Sequence, residues 1–226
     1  RLARLNLYGA PIDDEWGPGM ESGIDAALMQ LETARGLPPL AAPKWPKLPS
    51  NYAWLRDQDP LPRHLDIALG LIGTMEVVGA GDSPVIMGWR DELRAAGIKI
   101  EGYSADSVPW CGLFMALVMH RAQREVVAQP LWALNWSKFG QDGGQPELGD
   151  LLTFKRDGGG HVALYIAEDR EGFYHILGGN QSDRVGIMRS AKSRMHACRQ
   201  PPYQNKPATV IPRVVIPTGA ISRNEA

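Results

Sequence analysis

The chain has 226 residues, with 24 basic against 25 acidic side chains and a formal net charge of -1. That balance, with the basic residues scattered along the chain, gives no electrostatic footprint for nucleic acid, and no apolar run approaches the roughly 20 residues that span a bilayer. At 44% hydrophobic residues the composition is that of a globular chain, long enough for one domain and a small accessory segment.

In residues 22–35, Ile24, Ala27, Leu28 and Leu31 fall at i, i+3, i+4 and i+7. Ser22 and Asp25 can form a capping box ahead of them and Gly36 can close the turn, so a short amphipathic helix is expected within a small N-terminal segment, 1–36. Recurrent prolines make 37–60 an extended linker. The main domain, 61–202, opens with helical apolar spacing over 65–75. Ser83 and Pro84 then start a second helix that Gly97 closes. A third helix runs from about 109 to 123 and is apolar on nearly every face between Val108 and Met119, which places it at the centre of a core. Beyond Gly149 the pattern changes to strands, "DLLTF", "HVALYIAE", "GFYHILGG" and "VGIMRS". Helices first and an antiparallel sheet second define an α+β domain, followed by a tail, 203–226, with no identifiable chemistry.

The cysteines, Cys111 and Cys198, cannot build a disulfide framework, and neither they nor the five histidines show a zinc spacing or an HExxH pattern. No metal or cofactor is expected. Cys111, in "DSVPWCG", sits in the first turn of the third helix, where unpaired N–H groups and the positive dipole end favour a thiolate. A buried cysteine is also a common packing residue, so the thiol needs a base. His120 lies about half a turn round and roughly 13.5 Å along the same helix, out of reach, and His64 and His196 sit near domain edges. A hairpin turning on 169–172 pairs Glu168 with Phe173 and, carried down the ladder, His161 with Asn180. His161 then shares a face with Ala163, Tyr165, Ala167, Ile176 and Gly178, a low surface on which the Cys111 helix is expected to dock. His175 falls opposite Ile166 on the bulkier face. Cys111 as nucleophile, His161 as base and then acid, and Asn180 as the group that orients the ring fit one mechanism. The plainer alternative makes Cys111 a packed residue and Asn180 a turn residue. Trp110 and Trp136 are candidates for the cleft wall or for packing, and Cys198 is read as structural.

The ordered motifs "PWCGLF", "PELGDLLTF", "GGGHVALYI" and "LGGNQSD" resemble the NlpC/P60 and CHAP superfamily of cell-wall hydrolases over about residues 61–202. The resemblance implies a papain-like α+β fold and a thiol peptidase or amidase without a cofactor. Its substrate would be a peptidoglycan peptide, cut as by an endopeptidase or an N-acetylmuramoyl-L-alanine amidase. Cys111 and His161 carry over to the family's nucleophile and base. The third position is assigned to Asn180, with Gln181 and Asp183 as rivals; many CHAP relatives have a glutamate where this chain has Gly178. Gln181, Trp110 and Trp136 are expected to line the substrate, and the Cys111 backbone N–H to donate to the oxyanion. The setting implied is the periplasm or cell wall, as an antibacterial toxin with an immunity protein as partner or as a phage-type lysin. No signal peptide is recognisable, and membrane insertion is not expected. Segment 1–36 is similar to peptidoglycan-binding modules. The rival functions are a non-catalytic wall-binding module and a cysteine hydrolase of a non-wall amide.

Overall fold

The structure, a computed structural model, describes residues 44–156 and 158–210. The helix expected over 22–35 and the end of the tail lie outside them. Among the described residues, three α-helices, α1 (Arg63–Gly70), α2 (Pro84–Ala95) and α3 (Cys111–Arg121), precede six strands. These are β1 (Gln141–Asp142), β2 (Leu151–Arg156), β3 (Gly159–Glu168), β4 (Phe173–Gly178), β5 (Gly186–Ala191) and β6 (Met195–Gln200). The strands form one antiparallel sheet in the order β1-β6-β2-β3-β4-β5, so the described chain is α+β. Strands β1 and β6 were not expected; "MHACRQ" lacks the alternation that marks its neighbours. Among the described residues no helix is long and apolar enough to cross a membrane.

Pro84 stands at the first turn of α2, and Gly97, at a φ of 77°, ends it as expected. Helix α1 stops at Gly70 rather than continuing to Met75, because the chain leaves the helix to pair with the loop before β5. Gly73 N–H donates to Val185 O (2.9 Å), Val185 N–H to Thr74 O (2.7 Å), and Met75 bridges Arg184.

Every residue of α3 from Cys111 to Met119 is buried, as its unbroken apolar run requires. It packs against α1, α2 and β3, and its core neighbours on the sheet are Val162, Leu164, Ile166 and Leu177. This reverses the expected docking: the helices cover the bulky face. Ala163, Tyr165 and Ile176 belong to a second cluster with Leu152, Phe154, Tyr174 and Cys198.

The stretch expected to be an extended linker contributes Trp45, Leu48, Tyr52 and Leu55 to the same core and carries a 3-10 helix, Ser50–Asp57. A buried polar chain anchors it. Tyr52 Oη lies 2.7 Å from His175 Nδ1, His175 Nε2 lies 3.1 Å from Asp169 Oδ2, and Arg189 Nε donates to the same oxygen at 2.6 Å. His175 is thereby committed to structure.

Two buried groups near the start of β2 titrate in opposition. His64 Nε2 donates to Gly149 O at 2.7 Å, and burial lowers its pKa to about 4. Burial also raises the Asp150 carboxyl to about 6, with the Glu147 charge adding and the Glu147 N–H opposing. A lowered histidine costs stability as pH falls from its unfolded 6.5 to about 4. A raised aspartate carries its penalty at neutral pH and is relieved as pH falls through about 6. Asp150→Asn is therefore expected to stabilise the protein at neutral pH by on the order of 1–3 kcal/mol. It is also expected to steepen the loss of stability at acid pH, because His64 is then uncompensated; denaturant melts across pH check both.

Candidate active site

Cys111 is the first residue of α3, with Trp110 at the N-cap and no side chain capping the helix. The first N–H groups of a helix lack intrahelical partners, so they remain available beside the sulfur. Two close approaches hold this turn. Gly112 runs under the Pro130 and Leu131 carbonyl oxygens, where any Cβ would strike backbone, and a Cβ on Gly179 would stand 2.5 Å from Phe114 Cβ and 2.7 Å from Trp110 Cζ3. The glycines of "WCG" and "GGNQ" thus let two loops close on the turn that carries Cys111.

His161 lies on β3 opposite Phe154 of β2. The expected hairpin register holds at Leu164 with Leu177 and Tyr165 with Ile176, but a bulge follows Tyr165 and pairs His175 with Ala167 instead of Ile166. Strand β4 ends at Gly178, so the His161 end of β3 overhangs it and no ladder pair joins His161 to Asn180. The space beyond the end of β4 is filled by the Gln181 side chain. His161 Nε2 lies 3.1 Å from Gln181 Oε1, and Gln181 Nε2 donates to the carbonyls of Ile176 (3.2 Å), Gly178 (3.4 Å) and Gly186 (2.6 Å).

Those carbonyls decide the tautomer. They accept only, so the Gln181 NH2 must face them and its oxygen must face the ring. His161 Nε2 then carries the hydrogen, and Nδ1 keeps its lone pair for the thiol, which is the state a general base needs. Burial opposes ionisation of Cys111, but the hydrogen bond with His161, the charge of His161, the Val162 backbone N–H and the charge of Arg156 outweigh it and hold the thiol below its ordinary range. Cys111 is 3% exposed and His161 1%. At Cys198, burial with the charge and hydrogen bond of Asp150 pushes the thiol up to about 12. Iodoacetamide near neutral pH is expected to label Cys111 and spare Cys198; peptide mass mapping showing equal labelling would contradict this electrostatic contrast.

The structure therefore joins Cys111, His161 and Gln181, and sets Asn180 apart. Asn180 has a left-handed φ of 55° and is 3% exposed, and its Oδ1 has no hydrogen-bond partner. Asp183 is exposed at the surface, and its carbonyl accepts the Glu76 N–H at 2.9 Å. Trp110 and Trp136, expected along a cleft, are both fully buried. Trp110 packs edge-on to Trp89 at 5.9 Å, and Trp136 lies tilted against Phe139 at 5.8 Å and donates from Nε1 to Pro130 O at 2.9 Å. Neither ring presents a face to a substrate here.

A strap over residues 73–77 escaped the sequence reading. It pairs with residues 183–185 on one side. On the other, Val77 N–H donates to Asp106 Oδ2 (3.0 Å) and Glu76 Oε1 accepts from Trp110 Nε1 (2.5 Å). It thereby ties the segment leading into Cys111 to the loop that carries Gln181. Burial works against the Asp106 charge, but the N–H groups of Val77, Ser83 and Ser107 and the Asp82 side chain keep its pKa low. The "DSVPWC" aspartate was a legible hint, whereas nothing in local spacing marks Glu76. Among the described residues no group of three or more His, Cys, Asp or Glu gathers as a metal site.

A scan against protein-family models and a search of curated proteins each return no match.

Proposed function

We propose that the chain is a cysteine hydrolase of papain-like design that cuts an amide or peptide bond in peptidoglycan peptides. The observation that carries this reading is a helix-start thiol hydrogen-bonded to a histidine whose other nitrogen is held by a buried glutamine. The wall substrate is supported by the resemblance of "PWCGLF", "GGGHVALYI" and "LGGNQSD" to NlpC/P60 and CHAP hydrolases, and it implies action in the periplasm or cell wall as a delivered antibacterial toxin or a phage-type lysin.

In the mechanism, His161 Nδ1 accepts the Cys111 proton and the thiolate attacks the carbonyl carbon. The developing oxyanion takes hydrogen bonds from N–H groups at the start of α3. His161 returns the proton to the leaving amine as the C–N bond breaks, which leaves a thioester. It then deprotonates a water that attacks the thioester, the acid departs and the thiol is restored. Gln181 keeps the ring in plane and in the correct tautomer without a carboxylate's charge.

Incubation of purified muropeptides with the protein, followed by mass analysis of the products, tests the reading and identifies the bond. New fragments that carry a freed amine and carboxyl are expected. Unchanged muropeptides, with amine released from unrelated proteins, would shift the substrate to a non-wall amide.

A further inference from the structure

Glu76, on the strap, is bonded to both sides of the Cys111, His161 and Gln181 arrangement. Its Oε1 accepts from the indole of Trp110 at 2.5 Å, and the Trp110 carbonyl accepts the first hydrogen bond of α3, from Phe114 N–H at 2.9 Å. Its backbone N–H donates to Asp183 O at 2.9 Å, two residues beyond Gln181. The Trp110 ring joins the two sides. It packs edge-on to Trp89, and a Cβ on Gly179 would stand 2.7 Å from its Cζ3 and 2.8 Å from its Cε3. Packing fixes how deep the ring sits, but the directional bond at Nε1 fixes its tilt. A ring that tilts presses on the backbone two residues before Gln181 or draws the start of α3 away from it. Glu76 is half-buried, and burial raises its carboxyl, with the Trp110 hydrogen bond opposing and the Asp183 and Asp106 charges adding. A charged acceptor is thus kept where its surroundings oppose the charge; what it gives in return is the shorter, stronger bond to the indole.

We propose that Glu76 is a positioning residue for the reaction: through Trp110 it fixes the first turn of α3 and so holds the Cys111 sulfur against His161. It touches neither the substrate nor the reacting atoms. Asp106 supports it, because its Oδ2 accepts from Val77 N–H at 3.0 Å and Ser83 N–H at 2.8 Å, which stops the strap from following the ring. The assignment rests on the cysteine-hydrolase reading and adds to it a residue that acts from outside the cleft.

The test measures the rate of Cys111 alkylation by iodoacetamide across pH, which needs the thiol and His161 but no substrate, beside kcat and KM for muropeptide cleavage. Glu76→Ala is expected to move the alkylation midpoint to higher pH, because a sulfur that drifts from His161 loses the contact that holds the thiol low. It is also expected to lower kcat about tenfold with KM within about twofold. Glu76→Gln keeps an acceptor for the indole and is expected to leave the midpoint in place and kcat within about threefold of the wild type. Trp110→Phe removes the donor and keeps an aromatic ring; its upward shift is expected not to grow when Glu76→Ala is added, since both break one bond. If Glu76→Ala does not fold, Trp110→Phe and Glu76→Gln carry the same contrast. An unmoved midpoint in Glu76→Ala overturns the proposal, as do shifts that add in the double variant. A Gln variant that matches the Ala variant also overturns it; two matched falls would make Glu76 a source of charge, because losing a nearby anion favours the thiolate. A raised midpoint in Glu76→Ala, with no muropeptide cleaved by the wild type, removes the wall-hydrolase reading and leaves the positioning of the thiol standing. An unmoved midpoint in an enzyme that cleaves muropeptides does the reverse.

Discussion

Cys111→Ala is expected to lower muropeptide cleavage by about 10⁴-fold or more, as loss of a nucleophile does elsewhere, with little change in fold. The side chain removed is small, alanine is the best helix former, and the turn is held by backbone approaches at Gly112 and Gly179 rather than by the sulfur. Product formation followed by mass analysis, with thermal melts of both proteins, gives the result. Equal product from wild type and variant would end the catalytic reading, and sacculus binding retained by both would favour a non-catalytic wall-binding module.

Gln181→Ala is expected to cost about 10²–10³-fold in kcat, with a smaller change in KM, because it acts through the orientation and tautomer of His161. The variant frees the ring to tilt or to move its hydrogen to Nδ1, and it deprives the carbonyls of Ile176, Gly178 and Gly186 of a donor. The pH dependence carries a sign. His161 is what draws the buried Cys111 thiol below its ordinary range, so a loosened ring lets the thiol rise and moves the acid limb of kcat/KM to higher pH. Asn180→Gly is expected to leave that limb in place. If the limb moves for Asn180→Gly and stays for Gln181→Ala, the orienting role passes to Asn180.

Much of this site is written in local pattern. The apolar run through Met119 required a central helix, Pro84 and Gly97 bounded α2, and alternation put His161 on a strand beside β2 and β4. Register failed over a short distance for a physical reason. A pleated ladder can be extrapolated only while both strands continue; the expected register still holds at Leu164 with Leu177, but β4 ends at Gly178, before it reaches Asn180. Past that end, Asn180, Ser182 and Asp183 take left-handed backbones, so strict alternation no longer says which of two adjacent amides meets the imidazole. The three carbonyls that claim the NH2 of Gln181 make the choice.

The docked face and the strap have the same origin. Alternation separates two faces of a sheet but does not say which one a helix covers; both faces carry large apolar residues, and only the packed chain sets α3 against Val162, Leu164, Ile166 and Leu177. Glu76 meets Trp110, and Asp106 meets Val77, across loops distant in sequence. Chemistry that depends on residue type and period, a thiol at a helix start and a histidine on a strand, was readable along the chain. The choice of Gln181 over Asn180 was not, because it rests on hydrogen-bond partners that only the packed loops bring together.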